Sequence, residues 1–249
     1  MATVTIDKLR KVFPTATGGH VAIDDVSFEI ADRQFTSLVG PSGCGKTTLL
    51  NIVSGVECPS AGEVSIDAEG HQARIGYVFQ EPRLLPWRSI LDNMLYVQRT
   101  RDDATVERCR NYLELVGLRG AEDKYPAQLS GGMQQRAGIA RAFSVEPDLL
   151  LMDEPFSHLD AITARSLRAH LQELWLETRK TVMFVTHDVM EAVELSDEIV
   201  VLAPGGRLHE LIPVTLERPR RASDVAVARL KADILGRFEQ LEQQKMVTQ

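Results

Sequence analysis

The sequence predicts an α/β fold: a mostly parallel sheet with helices on its faces, an N-terminal antiparallel β subdomain and an inserted α-helical subdomain. Three observations carry this. Short apolar runs alternate with helical segments over most of the chain, as in a parallel sheet covered by its crossover helices. One strand-to-helix junction is a glycine-rich loop ending in Lys46-Thr47. The alternation is broken once, from Ser89 to Val145, by a long stretch of helical character.

The elements follow in order. Val4–Leu9 and Val21–Ile30 are β-branched runs, with Gly18-Gly19 marking a turn between them. Phe35–Val39 is an apolar strand leading into the glycine-rich loop. Thr47–Ser54 carries Leu49, Leu50, Ile52 and Val53, the pattern of a helix buried on most sides. Glu63–Ile66 and Ile75–Phe79 are further strands. In the helical stretch, Ile90, Met94 and Val97 fall at helical spacing. After Pro147 come a strand (Leu149–Met152), a helix from about Ala161 to Thr178 with Leu167, Leu171 and Leu174 on one face, a strand (Val182–Thr186), a short helix and a strand (Glu198–Ala203). Asp224–Lys245 reads as one or two helices with a charged exterior. The predicted organisation is a main domain over residues 1–221, with its helical insertion at about 89–146, and a C-terminal helical extension over 222–249.

With 249 residues, 44% of them apolar and 25% charged, the chain has ample material for a packed core and is not a disordered polymer. Its 28 basic and 35 acidic residues give a net charge of −7, against a nucleic-acid partner held by bulk electrostatics. Cys44, Cys58 and Cys109 form no CxxC, so neither a disulfide framework nor a zinc site is expected, and a reducing cytosol fits. The first thirteen residues contain no apolar signal core. No run approaches the roughly 20 apolar residues needed to span a bilayer. Work at a membrane would need another chain as the anchor.

Gly40-Pro41-Ser42-Gly43-Cys44-Gly45-Lys46-Thr47 fits GxxxxGK[ST] between a strand and a helix. The glycines let successive N–H groups face phosphate oxygens, and the helix start adds its positive dipole end. Lys46 would reach the β- and γ-phosphates, and the Thr47 hydroxyl would hold Mg²⁺. Leu149–Met152 runs into Asp153-Glu154, two carboxylates at the end of a buried strand, where α/β sheets place their ligands. Asp153 would bind Mg²⁺ through water, and Glu154 would polarise the water attacking the γ-phosphate. Gln80 and His187 each follow an apolar strand of the same sheet. Alone, either is unremarkable; at that edge both are expected near the γ-phosphate.

Leu129-Ser130-Gly131-Gly132-Met133-Gln134-Gln135-Arg136 resembles the signature of the ABC (ATP-binding cassette) ATPases, LSGGQ followed by a helix. Ser130 and the Gly131 and Gly132 amides open a helix and so make a second anion site. The resemblance implies a P-loop NTPase core that binds ATP and Mg²⁺, with the second site offered to ATP held by a second copy of the chain, head to tail. It implies Gly40 through Thr47, with Thr48, as the nucleotide cradle, Thr47, Gln80 and Asp153 as metal contacts, and Lys46, Gln80, Glu154 and His187 as the hydrolytic groups. Ser157-His158-Leu159-Asp160 is similar to the family's D-loop, usually SALD. His158 and Met133 are departures. Phe13 sits where an aromatic stacks on adenine in the family; an ordinary core or surface phenylalanine is the alternative.

Pro82-Arg83-Leu84-Leu85-Pro86-Trp87 cannot form a regular helix and predicts an irregular apolar patch. In ABC transporters this region receives a coupling helix of the membrane subunit; packing of the insertion onto the sheet is the other reading. The strings FQEPRLLPW, DEPFSHLDA and THDVMEAV, with Glu217-Arg218-Pro219-Arg220, are similar to bacterial importers of the nitrate, sulfonate and taurine type. The expectation is a peripheral ATPase at the cytoplasmic face of the plasma membrane, partnered by integral permease subunits near Gln80–Trp87 and indirectly by a solute-binding protein. The alternative is a soluble ABC ATPase acting on a non-transport partner.

Overall fold

In chain order the strands and helices are β1 (Thr3–Thr15), β2 (Gly18–Ile30), β3 (Phe35–Val39), α1 (Lys46–Val53), β4 (Ala61–Asp67), β5 (Ile75–Val78), α2 (Ile90–Tyr96), α3 (Asp103–Leu115), α4 (Gly131–Ser144), β6 (Leu149–Asp153), α5 (Ala161–Thr178), β7 (Thr181–Val185), α6 (Val189–Leu195), β8 (Glu198–Ala203), β9 (Arg207–Pro213) and α7 (Val225–Val247). The computed structural model describes residues 2–15 and 18–247, with side chains to Phe238. The charged exterior expected for the last turns of α7, and residues 248 and 249 of the extension, lie outside what it describes. The fold is mixed α/β, with one antiparallel and one mostly parallel sheet.

Two units are distinguished among the described residues by their internal contacts: Ala2 with Asp67–Val182, and Thr3–Ile66 with residues 183–247. In the first, β5 and β6 run parallel with Val78 opposite Met152, so the residues after both strands leave from one edge. Helices α2, α3, α4 and α5 belong to it. Ser89 and Asp102 cap α2 and α3, accepting from the N–H groups of Asp92 and Thr105. The buried amide of Asn93 ties down the irregular segment before α2, accepting from the Leu85 N–H at 2.7 Å and donating to the Leu85, Arg88 and Ser89 carbonyls.

In the second unit, β1 pairs antiparallel with β2 and β4 completes a three-stranded sheet in the order β2-β1-β4. The glycines expected to form the first turn pair in the ladder instead, Gly18 opposite Thr15 and Gly19 opposite Pro14. The strands are longer than the apolar runs, because backbone pairing continues through polar residues that need no burial. β3 lies between β7 and β8, and β9 adds antiparallel to β8. The Arg207–Pro213 strand went unread in the sequence: it is an outer strand with alternate residues exposed, so it carries no apolar run. The extension is one helix, α7, whose Val227 and Ile234 pack with Val189 and Val193 of α6 and with Ile212 and Val214.

Candidate functional site: a phosphate loop and an acidic strand end

Within the second unit, β3 delivers the chain into the Gly40–Thr47 loop and α1 begins at Lys46. Gly45 is the N-cap with φ 93°, and a Cβ there would collide with the Ala22 carbonyl oxygen, so only glycine fits. No side chain caps α1, and a helix start favours an anion through its dipole. Lys46 is buried. Its ammonium donates to the carbonyl oxygens of Gly40 at 2.8 Å and Pro41 at 3.1 Å and to the Cys44 sulfur at 3.9 Å, so it is held over the loop. Cys44 is buried in the same loop, and burial pushes its thiol pKa up.

His187 belongs to this unit too. The Thr186 N–H donates to the Leu38 carbonyl at 3.2 Å, which brings the end of β7 to the end of β3 and so places His187 at the loop's edge. The Thr186 hydroxyl donates to the buried Glu191 carboxylate at 2.6 Å and accepts from the Asp188 N–H at 3.0 Å. Asp188 in turn caps α6 through the Met190 N–H. At the far end of α6, the buried Arg220 guanidinium donates to the Val193 and Ser196 carbonyls, and to Val214 and Leu216. Its burial pushes its pKa down to about 10. Phe13 lies on β1 half-buried, with the Lys11 ammonium 4.8 Å from its ring centroid.

The first unit holds the acidic pair, Gln80 and the signature. Asp153 ends β6, and Glu154 follows with φ 42°, a left-handed backbone rare for a glutamate and typical of residues held at functional sites. Tyr77 on neighbouring β5 has its pKa raised to about 12, by burial and then by the Asp153 carboxylate. Gln80 donates to the Ser157 hydroxyl at 3.2 Å. Ser130 caps α4, its hydroxyl accepting from the Met133 N–H at 3.3 Å. Gly131 borders open space, whereas a Cβ on Gly132 would strike the Thr163 methyl group. His158 is exposed, and Asp160 caps α5 through the Ile162 and Thr163 N–H groups.

Three residues given no role by the sequence motifs position this first-unit set. Gln135 donates to the Phe79 carbonyl at 3.2 Å, and Arg141 to those of Pro82 and Arg83 at 2.8 and 3.0 Å. Both lie on α4, so the signature helix also fixes the loop that carries Gln80. Asn93 fixes the next segment. Their signal in the sequence is a polar residue on an otherwise buried helical face, which becomes specific only when its partner is known.

The same unit contains a groove of about 310 Å³ whose walls include Phe79, Arg83, Leu85, Tyr96, Val97 and Arg141. Trp87 and Tyr96 are 71% and 57% exposed, more than bulky aromatics without a partner ordinarily are. Among the described residues no helix is long and apolar enough to cross a membrane.

A model of the family described as ABC transporter matches residues 23–157. The chain belongs to that family. It is 38% identical over 241 residues to an aliphatic sulfonates import ATP-binding protein of Bacillus thuringiensis subsp. konkukian, covering 95% of this chain and 96% of the relative. It is 42% identical over 244 residues to a nitrate import ATP-binding protein of Synechococcus elongatus, covering 92% and 89%. Among solved structures, a dimeric ATP-binding cassette in a post-hydrolysis state with ADP and Pi superposes with a TM-score of 0.74 at 30% identity, covering 86% of this chain and all of that one. The ABC chain described here is accordingly an ATP-binding protein and an ATPase.

Proposed function

We propose that this chain is the ATP-hydrolysing subunit of an importer for small oxyanionic solutes of the nitrate and sulfonate kind. It works as a head-to-tail dimer at the cytoplasmic face of the membrane, beneath separate permease subunits that a solute-binding protein supplies. The observation that carries the reading is the groove beside the Gln80 loop. It is apolar, its wall includes the exposed Tyr96, the exposed Trp87 follows two residues after its Leu85, and it is held by hydrogen bonds to the signature helix. A short helix of a membrane subunit fits such a groove. The sulfonate and nitrate import relatives support the solute class, and the cassette dimer supports the assembly.

In this reading Gly40–Thr48 cradle the triphosphate, Lys46 binds the β- and γ-oxygens, and Phe13 stacks on adenine. Ser130, Gly131 and Gly132 face the nucleotide of the second copy. Among the described residues no group of three or more His, Cys, Asp or Glu is arranged to hold a metal by itself. Mg²⁺ would therefore come with the phosphates and be met by Thr47, the Gln80 amide oxygen and Asp153, neutralising charge on the β- and γ-oxygens. Glu154 orients the attacking water and accepts its proton, and His187 donates to the γ-phosphate. Closing around ATP and reopening after hydrolysis moves the bound permease segment.

The test is to solubilise membranes from the native host gently and identify what co-purifies with the tagged chain. A polytopic membrane protein near one-to-one, lost in Trp87→Glu, is the expected result; soluble partners alone would overturn it. Glu154→Gln should bind ATP, turn it over very slowly and run as a dimer on gel filtration. Near-normal turnover in Lys46→Ala would remove the role given to the loop.

A further inference from the structure

A second cavity of the first unit, about 520 Å³, is lined by Arg74, Arg99 and Arg108 together with Gln98, Thr100 and Glu146. In a chain of net charge −7 this is an unusual concentration of guanidinium groups. Arg108 is fixed in place: its Nε donates to the Ser144 carbonyl and its Nη2 to Gln98 Oε1, both at 3.1 Å, and its Nη1 lies 3.6 Å from Glu146. Arg74 lies 3.9 Å from Asp148, whose carboxylate also accepts the Arg74 N–H and meets His71 at 3.1 Å. Arg99 is exposed and has no hydrogen-bond or ion-pair partner among the described residues. Lys180 adds its charge alongside Glu146, Asp148 and Arg74. Four cations (Arg74, Arg99, Arg108, Lys180) meet three carboxylates (Glu146, Asp148 and Asp102, which faces Arg108), a net positive balance.

Guanidinium forks match the oxygens of a tetrahedral anion, and a site with a net positive balance favours one. We propose that this cavity binds a tetrahedral oxyanion, a phosphate or sulfate group, between Arg74, Arg99 and Arg108. Ile75, Val97 and Val145 line both this cavity and the groove beside the Gln80 loop. Occupancy would therefore brace a wall of the groove, joining the segment after α2 to the start of β5. The binding site itself does not depend on the importer reading.

The experiment is calorimetric titration of sulfate into the full chain saturated with Mg-ADP, at ionic strength held constant with chloride. Arg99→Gln and Arg74→Gln should each weaken sulfate binding about tenfold, the worth of one charge-assisted contact. ADP affinity should be unchanged in both. Glu146→Gln removes a competing carboxylate and should tighten sulfate binding, a gain that misfolding cannot mimic. Sulfate affinity equal in all four proteins would place the anion at the vacant γ-phosphate position and overturn the proposal, as would no binding at all. Vesicles of phosphatidylcholine with and without phosphatidylglycerol separate the sources. Arg99-dependent capture by the anionic vesicles, released by sulfate, identifies a lipid headgroup; sulfate binding without capture identifies a free oxyanion.

Discussion

The side-chain amide of Gln80 donates to the hydroxyl of Ser157 at 3.2 Å, and that hydroxyl donates to the main-chain carbonyl of Glu154 at 3.0 Å. The loop after β5 is thereby tied to the turn after β6, at the residue whose backbone is left-handed. Such a backbone costs on the order of 1 kcal/mol or more and persists only where neighbours hold it. Ser157→Ala removes the relay without touching the carboxylate. Steady-state phosphate release should show kcat reduced about fivefold with KM for ATP changed less than twofold. Equal losses in both would mean that Ser157 serves binding instead.

Arg141 is a second point of control. It is half-buried on α4 and donates to two carbonyls of the Pro82-Arg83 segment. Arg141→Met keeps the volume and removes both donors, a local loss of about 2 kcal/mol. Hydrogen exchange should accelerate over residues 79–88 while protection in β6 and α5 stays as it was. Unchanged exchange in that segment would show that Asn93 and Gln135 suffice to hold it.

These contacts mark the limit of what the sequence made legible. Helix α5 and strand β8 were readable, because Leu167, Leu171 and Leu174 share one helical face and Glu198–Ala203 is a short apolar run. The Lys46 loop was readable because its chemistry lies in consecutive residues. Strand β9 was not, since its residues alternate outward beside β8 and its partner is set by tertiary pairing. Nor was the meeting of Gln80 and Ser157, which are 77 residues apart and brought together by the parallel register of β5 and β6. The same holds for Arg220, a charged residue in a polar string until the carbonyls at the end of α6 surround it.

Asp148 should make the first unit acid-sensitive. Burial pushes its pKa up, hydrogen bonds led by the Arg74 N–H and then the His71 ring pull it down, and the net pKa lies below the usual carboxylate value. A carboxyl with a depressed folded-state pKa stabilises fully above its unfolded value, about 3.9, and loses that contribution as pH falls through the folded value. Asp148→Asn should therefore lower the melting temperature at pH 7 by a few degrees, for a loss of about 1 kcal/mol. The difference between variant and parent should shrink below about pH 4. A gap that stays constant down to pH 3 would assign the effect to packing.

Gly132 and Thr163 offer the sharpest test of how the signature helix is packed. A Cβ at position 132 would run into the Thr163 methyl group, while its next neighbours, Thr163 Cβ and Leu159 Cδ2, lie at 3.8 and 4.0 Å, ordinary contact distances. Alanine should help the helix itself by up to about 1 kcal/mol, because glycine loses more backbone freedom on folding. The clash opposes this by about 2 kcal/mol, since the methyl sits on a β-branched side chain with little room to turn. Gly132→Ala alone should therefore lower stability in urea. Thr163→Ser removes the methyl yet keeps the hydroxyl near Asp160, which caps α5. In that background Gly132→Ala should become neutral or stabilising. The sign reversal in a double-mutant cycle identifies the methyl as the constraint. Equal destabilisation in both backgrounds would instead place it in the α4 backbone.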